Sequence, residues 1–159
     1  MEELIKQSKA VGKALTQTGL TVATAESCTG GLLGHILTSV SGSSAYYAGG
    51  VIAYSNAIKE VLLGVRHETL LAHGAVSHET AREMAAGARE ALNADIGLST
   101  TGIAGPTGGT AEKPVGLVYI GISTTEKTES YECQFNGSRG LVKQQTVEKL
   151  LEKLITNLL

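Results

Sequence analysis

The sequence predicts a single-domain α/β fold, a three-layer sandwich with a mixed, mostly parallel sheet flanked by helices. Three observations point there. The 159 residues suffice for one compact domain. Segments of strand character alternate with segments of helical apolar spacing, the order that builds a sheet with helices on its faces. Residues 115–122, Val-Gly-Leu-Val-Tyr-Ile-Gly-Ile, are apolar at nearly every position, as expected of a central strand covered on both sides.

Taken in order, residues 2–18 place Leu4, Ser8, Val11 and Leu15 on one helical face and stop at Gly19. Leu20 to Ala25 has strand character and breaks at Glu26-Ser27-Cys28-Thr29-Gly30-Gly31, after which Leu32 to Val40 reads as a helix. Ser41 to Ser44 is a turn, and Ala45 to Tyr54 holds a second strand around Gly50–Tyr54. Asn56 caps a short helix to Leu63 closed by Gly64, and Glu68 to His73 forms another closed by Gly74. Ser77 caps a longer helix in which Ala81, Met84, Ala85, Ala88, Ala91 and Leu92 keep helical spacing; their small size predicts close packing on the sheet. Ile96 to Thr101 returns to strand and leads into a loop from Gly102 to Pro114. The Val115–Ile122 strand, a turn at Thr124–Thr128 and an antiparallel neighbour at Glu129–Phe135 follow. From Ser138, the spacing of Val147, Leu150, Leu151, Leu154, Ile155 and Leu158 marks a terminal helix.

Composition narrows the function. With 42% hydrophobic and 18% charged residues the chain can bury a sizeable core. A net charge of −2 without a basic block argues against a grip on nucleic acid and favours a small soluble ligand. The amino terminus is charged from Glu2 and no stretch approaches a membrane span, so a cytoplasmic protein is expected. There is no P-loop and no GxGxxG. His35, His67, His73 and His78 form no metal-binding motif, and no metal or other cofactor is expected. Cys28 and Cys133 are expected as free thiols. The apolar flank Ala45-Tyr46-Tyr47 serves either as a homodimer surface or as cover for the core. Glycine is over-represented, at 20 residues, and turns or ligand loops must account for it.

Three segments carry chemistry. Ala25-Glu-Ser-Cys-Thr-Gly-Gly31 puts Ser27 at a strand-to-helix turn, where free N–H groups and the helix dipole suit an oxyanion or a phosphate. The same residues would also serve as a plain helix start, with Ser27 or Thr29 capping. In Gly49–Lys59, Lys59 falls in a first helical turn, where the dipole disfavours a cation and pulls its pKa down, a setting for a lysine base. The alternative is a solvated lysine beside Glu60. Tyr54, at a strand end, is either a packing residue or an acid. The Gly102–Pro114 loop follows a strand's carboxyl end, where open α/β sheets hold their ligands.

Six ordered blocks, AESCTGG at 25–31, GGVIAYSNAIK at 49–59, GAVS at 74–77, TGIAGPTGGT at 101–110, KPVG at 113–116 and FNGSR at 135–139, resemble the CinA C-terminal domain family of competence/damage-inducible proteins over essentially the whole chain. The resemblance implies a stand-alone nicotinamide-nucleotide amidase, which hydrolyses nicotinamide mononucleotide to nicotinate mononucleotide and ammonia in pyridine-nucleotide salvage. Larger members carry an additional amino-terminal domain, and at this length only the amidase module is expected. The family pattern matches Ser27, Tyr54 and Lys59. Ser27 is then expected as nucleophile, Lys59 as its base and Tyr54 as a relay or orienting donor. The substrate is expected against the backbone of Cys28, Thr29, Gly30 and Gly31, with Thr101, Gly102, Gly105, Thr107, Gly108 and Arg139 holding ribose and phosphate. Two alternatives stay open: a non-catalytic nucleotide-binding or regulatory module, and a hydrolase that uses Cys28 as nucleophile with Glu26 or a histidine assisting.

Overall fold

The computed structural model describes residues 1–158, the side chain of Leu158 excepted. Five strands form one sheet: β1 (Val22–Glu26), β2 (Tyr47–Ile52), β3 (Ile96–Gly102), β4 (Leu117–Ser123) and β5 (Thr128–Gln134), in the order β2-β1-β3-β4-β5. β1 pairs parallel to both β2 and β3, whereas β4 is antiparallel to both β3 and β5. Only β4 therefore runs against the others, so the sheet is mixed and mostly parallel in direction. The 115–122 strand is buried on both faces as predicted, but the central position belongs to β3.

Among the described residues six α-helices cover the sheet: α1 (Glu2–Thr18), α2 (Leu32–Thr38), α3 (Asn56–Leu63), α4 (His67–His73), α5 (His78–Ala91) and α6 (Arg139–Leu158). On one face α1, α2 and α6 close a core of large aliphatic side chains that includes Leu15, Ile36, Leu98, Ile120 and Leu151. On the other face the core is small, with Ala23, Ala25, Met84 and Ala88. α5 lies tight against that face: a Cβ at Gly97 would run into the Ala85 carbonyl, and one at Gly121 into that of Ala81. The alanine-rich spacing of this helix is the counterpart of those glycines, because backbones approach closely only where neither side carries bulk.

Most boundaries follow the predicted elements, with local corrections. The cap of α3 is Ser55, whose hydroxyl accepts from Ile58 N, rather than Asn56. α2 ends at Thr38, two residues short of Val40, and β2 begins at Tyr47. Ser77 caps α5 by accepting from Thr80 N, and the Ser138 hydroxyl accepts from Leu141 N at the start of α6. Tyr46 is buried with its hydroxyl donating to Leu37 O, and Tyr47 shares a hydrogen bond with Thr24, so these two tyrosines of the flank pack on the core while Ala45 is exposed.

The connectivity positions a site. From β1 the chain crosses one face through α2 to β2, then the other face through α3, α4 and α5 to β3 on the far side of β1. The carboxyl ends of β1 and β3 thus flank the point where the winding reverses, the place where an open α/β sheet leaves a crevice for a ligand.

Candidate active site

A cleft of about 280 Å³ opens at that reversal point. The turn after β1 supplies Ser27 and Cys28, the β2–α3 junction Tyr54, Asn56 and Lys59, the 74–77 segment Ala75 and Val76, and the loop after β3 residues Thr101 to Gly105, Thr107 and Gly108. Arg139 closes the rim. Of the residues singled out in the sequence, Ser27, Cys28, Tyr54, Lys59, Thr101, Gly102, Gly105, Thr107, Gly108 and Arg139 meet here, whereas Thr29, Gly30 and Gly31 do not line the cleft.

Lys59 is the unusual residue. The residue is only 1% exposed, and its Nζ donates to Ser27 Oγ at 3.1 Å and to the Tyr54 carbonyl at 3.1 Å. Both acceptors are neutral, and the described ion pairs include none to Lys59. Burial lowers its pKa from the ordinary lysine value, against a smaller opposing influence from Cys28. The predicted direction of the shift holds, with desolvation as its leading cause. The alternative of a solvated lysine beside Glu60 does not hold: Lys59 is buried, and Glu60 meets His67 at 3.1 Å.

The Ser27–Gly31 turn departs from expectation in an informative way. The amino end of α2 is filled by the chain's own Glu26, which accepts from Thr29 Oγ1 at 2.6 Å and from the N–H groups of Gly31 at 3.1 Å, Leu33 at 3.0 Å and Gly34 at 2.8 Å. Thr29, its proton so used, accepts from Thr100 Oγ1 at 2.7 Å. Gly30 N donates to Ser27 O and Leu32 N to Thr29 O. The N–H groups of Gly31, Leu33 and Gly34 are therefore unavailable to an oxyanion or a phosphate. Among the described residues only the N–H groups of Cys28 and Thr29 in this turn lack both a backbone and a side-chain acceptor. Nothing in the spacing of residues 25–31 announces that Glu26 folds forward over the turn.

Cys28 is buried, with its thiol pushed up to about 12 by desolvation that a hydrogen bond to Thr100 only partly offsets. A thiol held protonated at neutral pH is a poor nucleophile. Glu26, its proposed assistant, is saturated by the four donors above.

Tyr54 is 61% exposed, and its hydroxyl accepts from Arg139 Nη2 at 2.9 Å. It touches neither Ser27 nor Lys59 through its side chain; only its carbonyl reaches the lysine. Arg139 Nη1 donates to Gly105 O at 2.8 Å, so this side chain ties the loop after β3 to the β2–α3 junction. Thr101 donates to Ala75 O at 2.7 Å and fastens the 74–77 segment to β3. Gly105, at φ +80°, adopts a backbone that an L side chain rarely takes, and a Cβ there would strike Val115. Asn56, read in the sequence only as a cap, instead places an exposed amide side chain in the cleft wall. Among the described residues no three His, Cys, Asp or Glu side chains converge as metal ligands, and no helix is long and apolar enough to cross a membrane.

Comparison with known proteins follows the same outline. The profile of the CinA C-terminal domain matches residues 4–158. A CinA-like protein of Chloroherpeton thalassium is 53% identical over 145 residues, covering 90% of this chain and 33% of that protein. The chain spans about a third of the length of the curated relatives it matches. Among solved structures, the competence/damage inducible protein CihA of Agrobacterium tumefaciens superposes with a TM-score of 0.94 at 41% identity, covering 96% of this chain and 94% of that one. A CinA superfamily protein of Escherichia coli superposes with a TM-score of 0.94 at 30% identity, covering 98% of this chain and 90% of that one.

Proposed function

The chain belongs to the CinA C-terminal domain family, and from that premise we propose that it is an amidohydrolase that converts nicotinamide mononucleotide to nicotinate mononucleotide and ammonia, a step of pyridine-nucleotide salvage. The observation that carries the reading is the Lys59–Ser27 pair, a buried lysine of lowered basicity at 3.1 Å from a serine hydroxyl in the wall of a cleft. A regulatory module would need the cleft but has no use for a desolvated lysine without a counter-ion, whose burial costs stability. Desolvation of this kind, at a position facing a nucleophile, is how a lysine becomes a base near neutral pH.

The chemistry runs as two acyl transfers. Neutral Lys59 takes the Ser27 hydroxyl proton as Oγ attacks the carboxamide carbon. The tetrahedral oxyanion lies against the N–H group of Cys28, which lines the cleft beside Ser27. Protonated Lys59 then returns that proton to the leaving nitrogen, the C–N bond breaks and ammonia departs, leaving a Ser27 ester. Water, activated by the same amine, hydrolyses the ester to the pyridine carboxylate and restores the serine. Because the Tyr54 hydroxyl already accepts from Arg139, its own proton is free to point into the cleft and orient the substrate. The Asn56 amide suits the same task at the carboxamide.

The test is direct. Purified protein incubated with nicotinamide mononucleotide is expected to release ammonia stoichiometrically with the acid product, while glutamine gives none and nicotinamide riboside gives much less. Absence of ammonia from the mononucleotide would overturn the reading and favour the ligand-binding module.

A further inference from the structure

Two cations stand one turn apart on the same face of α6, Arg139 and Lys143, and the structure puts them to different use. The Arg139 fork is engaged by the protein itself, with Nη1 on Gly105 O at 2.8 Å and Nη2 on Tyr54 Oη at 2.9 Å. A guanidinium grips a phosphate best by presenting both terminal nitrogens side by side, and here each already holds an acceptor on a different wall of the cleft. Lys143 is the opposite case. It is half-buried, and its ammonium hangs over Gly30, 3.7 Å from the point a Cβ there would occupy. It is also near enough to Cys28, a cleft residue, for its charge to act on that thiol. Among the described residues it has neither an ion pair nor a side-chain hydrogen bond. The carboxylate of this turn, Glu26, is saturated by its four donors.

We propose that Lys143, standing over Gly30, forms a phosphomonoester subsite through its ammonium, and that Arg139 is a positioning residue that acts through Tyr54 and the Gly105 loop. This rests on the nucleotide-amidase reading. It assigns the substrate's charge to a residue outside the six sequence blocks and moves it off the arginine that the sequence favoured. Gly30 contributes by having no side chain, which leaves the ammonium uncovered. A compact, unpaired ammonium is suited to a monoester, a point charge meeting a point charge.

The experiment compares Lys143→Ala, Arg139→Ala, Tyr54→Phe and the Arg139→Ala/Tyr54→Phe double variant on nicotinamide mononucleotide and on the phosphate-free riboside. Lys143→Ala is expected to raise KM for the mononucleotide about tenfold with kcat little changed, and to shift the riboside far less. Lys143→Arg is expected to recover most of that loss. Arg139→Ala is expected to lower kcat about tenfold or more on both substrates alike, and to add little once Tyr54 is already Phe. Equal KM losses on both substrates for Lys143→Ala, or no loss on either, overturn the phosphate assignment, as does a mononucleotide-selective KM loss in Arg139→Ala. Titration calorimetry with ribose 5-phosphate against ribose supplies a readout that needs no turnover. If the protein releases no ammonia from the mononucleotide, the amidase reading falls. Loss of ribose 5-phosphate binding in Lys143→Ala still upholds the subsite, and unchanged binding rejects it.

Discussion

The turn after β1 separates two buried ionisable groups that have opposite fates. Glu26 is 2% exposed and accepts four hydrogen bonds from a hydroxyl and three backbone N–H groups. Lys59, 1% exposed, has only a serine hydroxyl and a carbonyl. A carboxylate so fully ligated is a structural element: it replaces the water that would otherwise satisfy the amino end of α2, and its charge complements the dipole there. A lysine whose partners are neutral cannot recover its desolvation cost as a cation, and the remedy open to it is to give up its proton. The difference teaches that a buried charge is read by the balance of its partners, since burial alone describes both residues equally.

The largest expected effect tests the lysine side. Lys59→Met and Ser27→Ala should each lower turnover about 10³-fold or more while the melting temperature holds or, for Lys59→Met, rises. Lys59→Arg should be nearly as inactive, because a guanidinium does not deprotonate. Substantial turnover by the arginine variant would demote Lys59 to an electrostatic contact and erase the contrast with Glu26. Steady-state assays beside thermal melts distinguish the outcomes.

The glutamate side should behave in reverse. Glu26→Gln leaves donors on α2 facing an amide that can satisfy only some of them, and is expected to cost about 3 kcal/mol, on the order of 10 °C in melting temperature. Turnover per folded molecule should fall much less than in Lys59→Met. A Glu26→Gln protein that melts normally yet is inactive would show that the carboxylate takes part in the chemistry.

pH sharpens the same contrast. Since burial lowers the Lys59 pKa, the amine becomes competent below the ordinary lysine range, and kcat/KM should climb with pH along a limb set by that group. Stability carries the same signature: between the lowered folded pKa and the unfolded value near 10.5, the unfolded chain binds more protons at this site, so stability rises with pH. Lys59→Met should lack that rise when denaturation midpoints are followed across the window. The smallest effect is reserved for Cys28→Ala, which should retain most activity, since a thiol pushed up to about 12 stays protonated at neutral pH. Slow alkylation of the native protein by a small thiol reagent is the matching check.

Much of the candidate site was legible because it lies in short segments whose local chemistry is distinctive. Ser27 stands out at a strand-to-helix turn, the Gly102–Pro114 loop at a strand's end, and Lys59 at the start of a helix. What stayed hidden involved partners distant in the chain. Asn56 looked like a cap because Ser55 and Asn56 are both good capping residues, and only the backbone path chooses between them. Arg139 was expected at the ribose and phosphate from its charge alone, and its hydrogen bonds to Gly105 O and Tyr54 Oη could not be read from the chain.

By itself the sequence determined the order and type of the elements, the helix ends at Gly19, Gly64 and Gly74, the Ser77 cap and the faces that turn inward. These follow from backbone freedom, capping and the spacing of apolar residues, all of which act within a few positions along the chain. Tertiary structure alone decided that β3 rather than β4 takes the centre, that Glu26 fills the end of α2, that Lys59 meets a serine 32 residues away, and that Arg139 spans 85 residues to Tyr54. Those contacts depend on strand order and register, which bring distant segments to one edge of the sheet, and on the dry environment the assembled layers create around them.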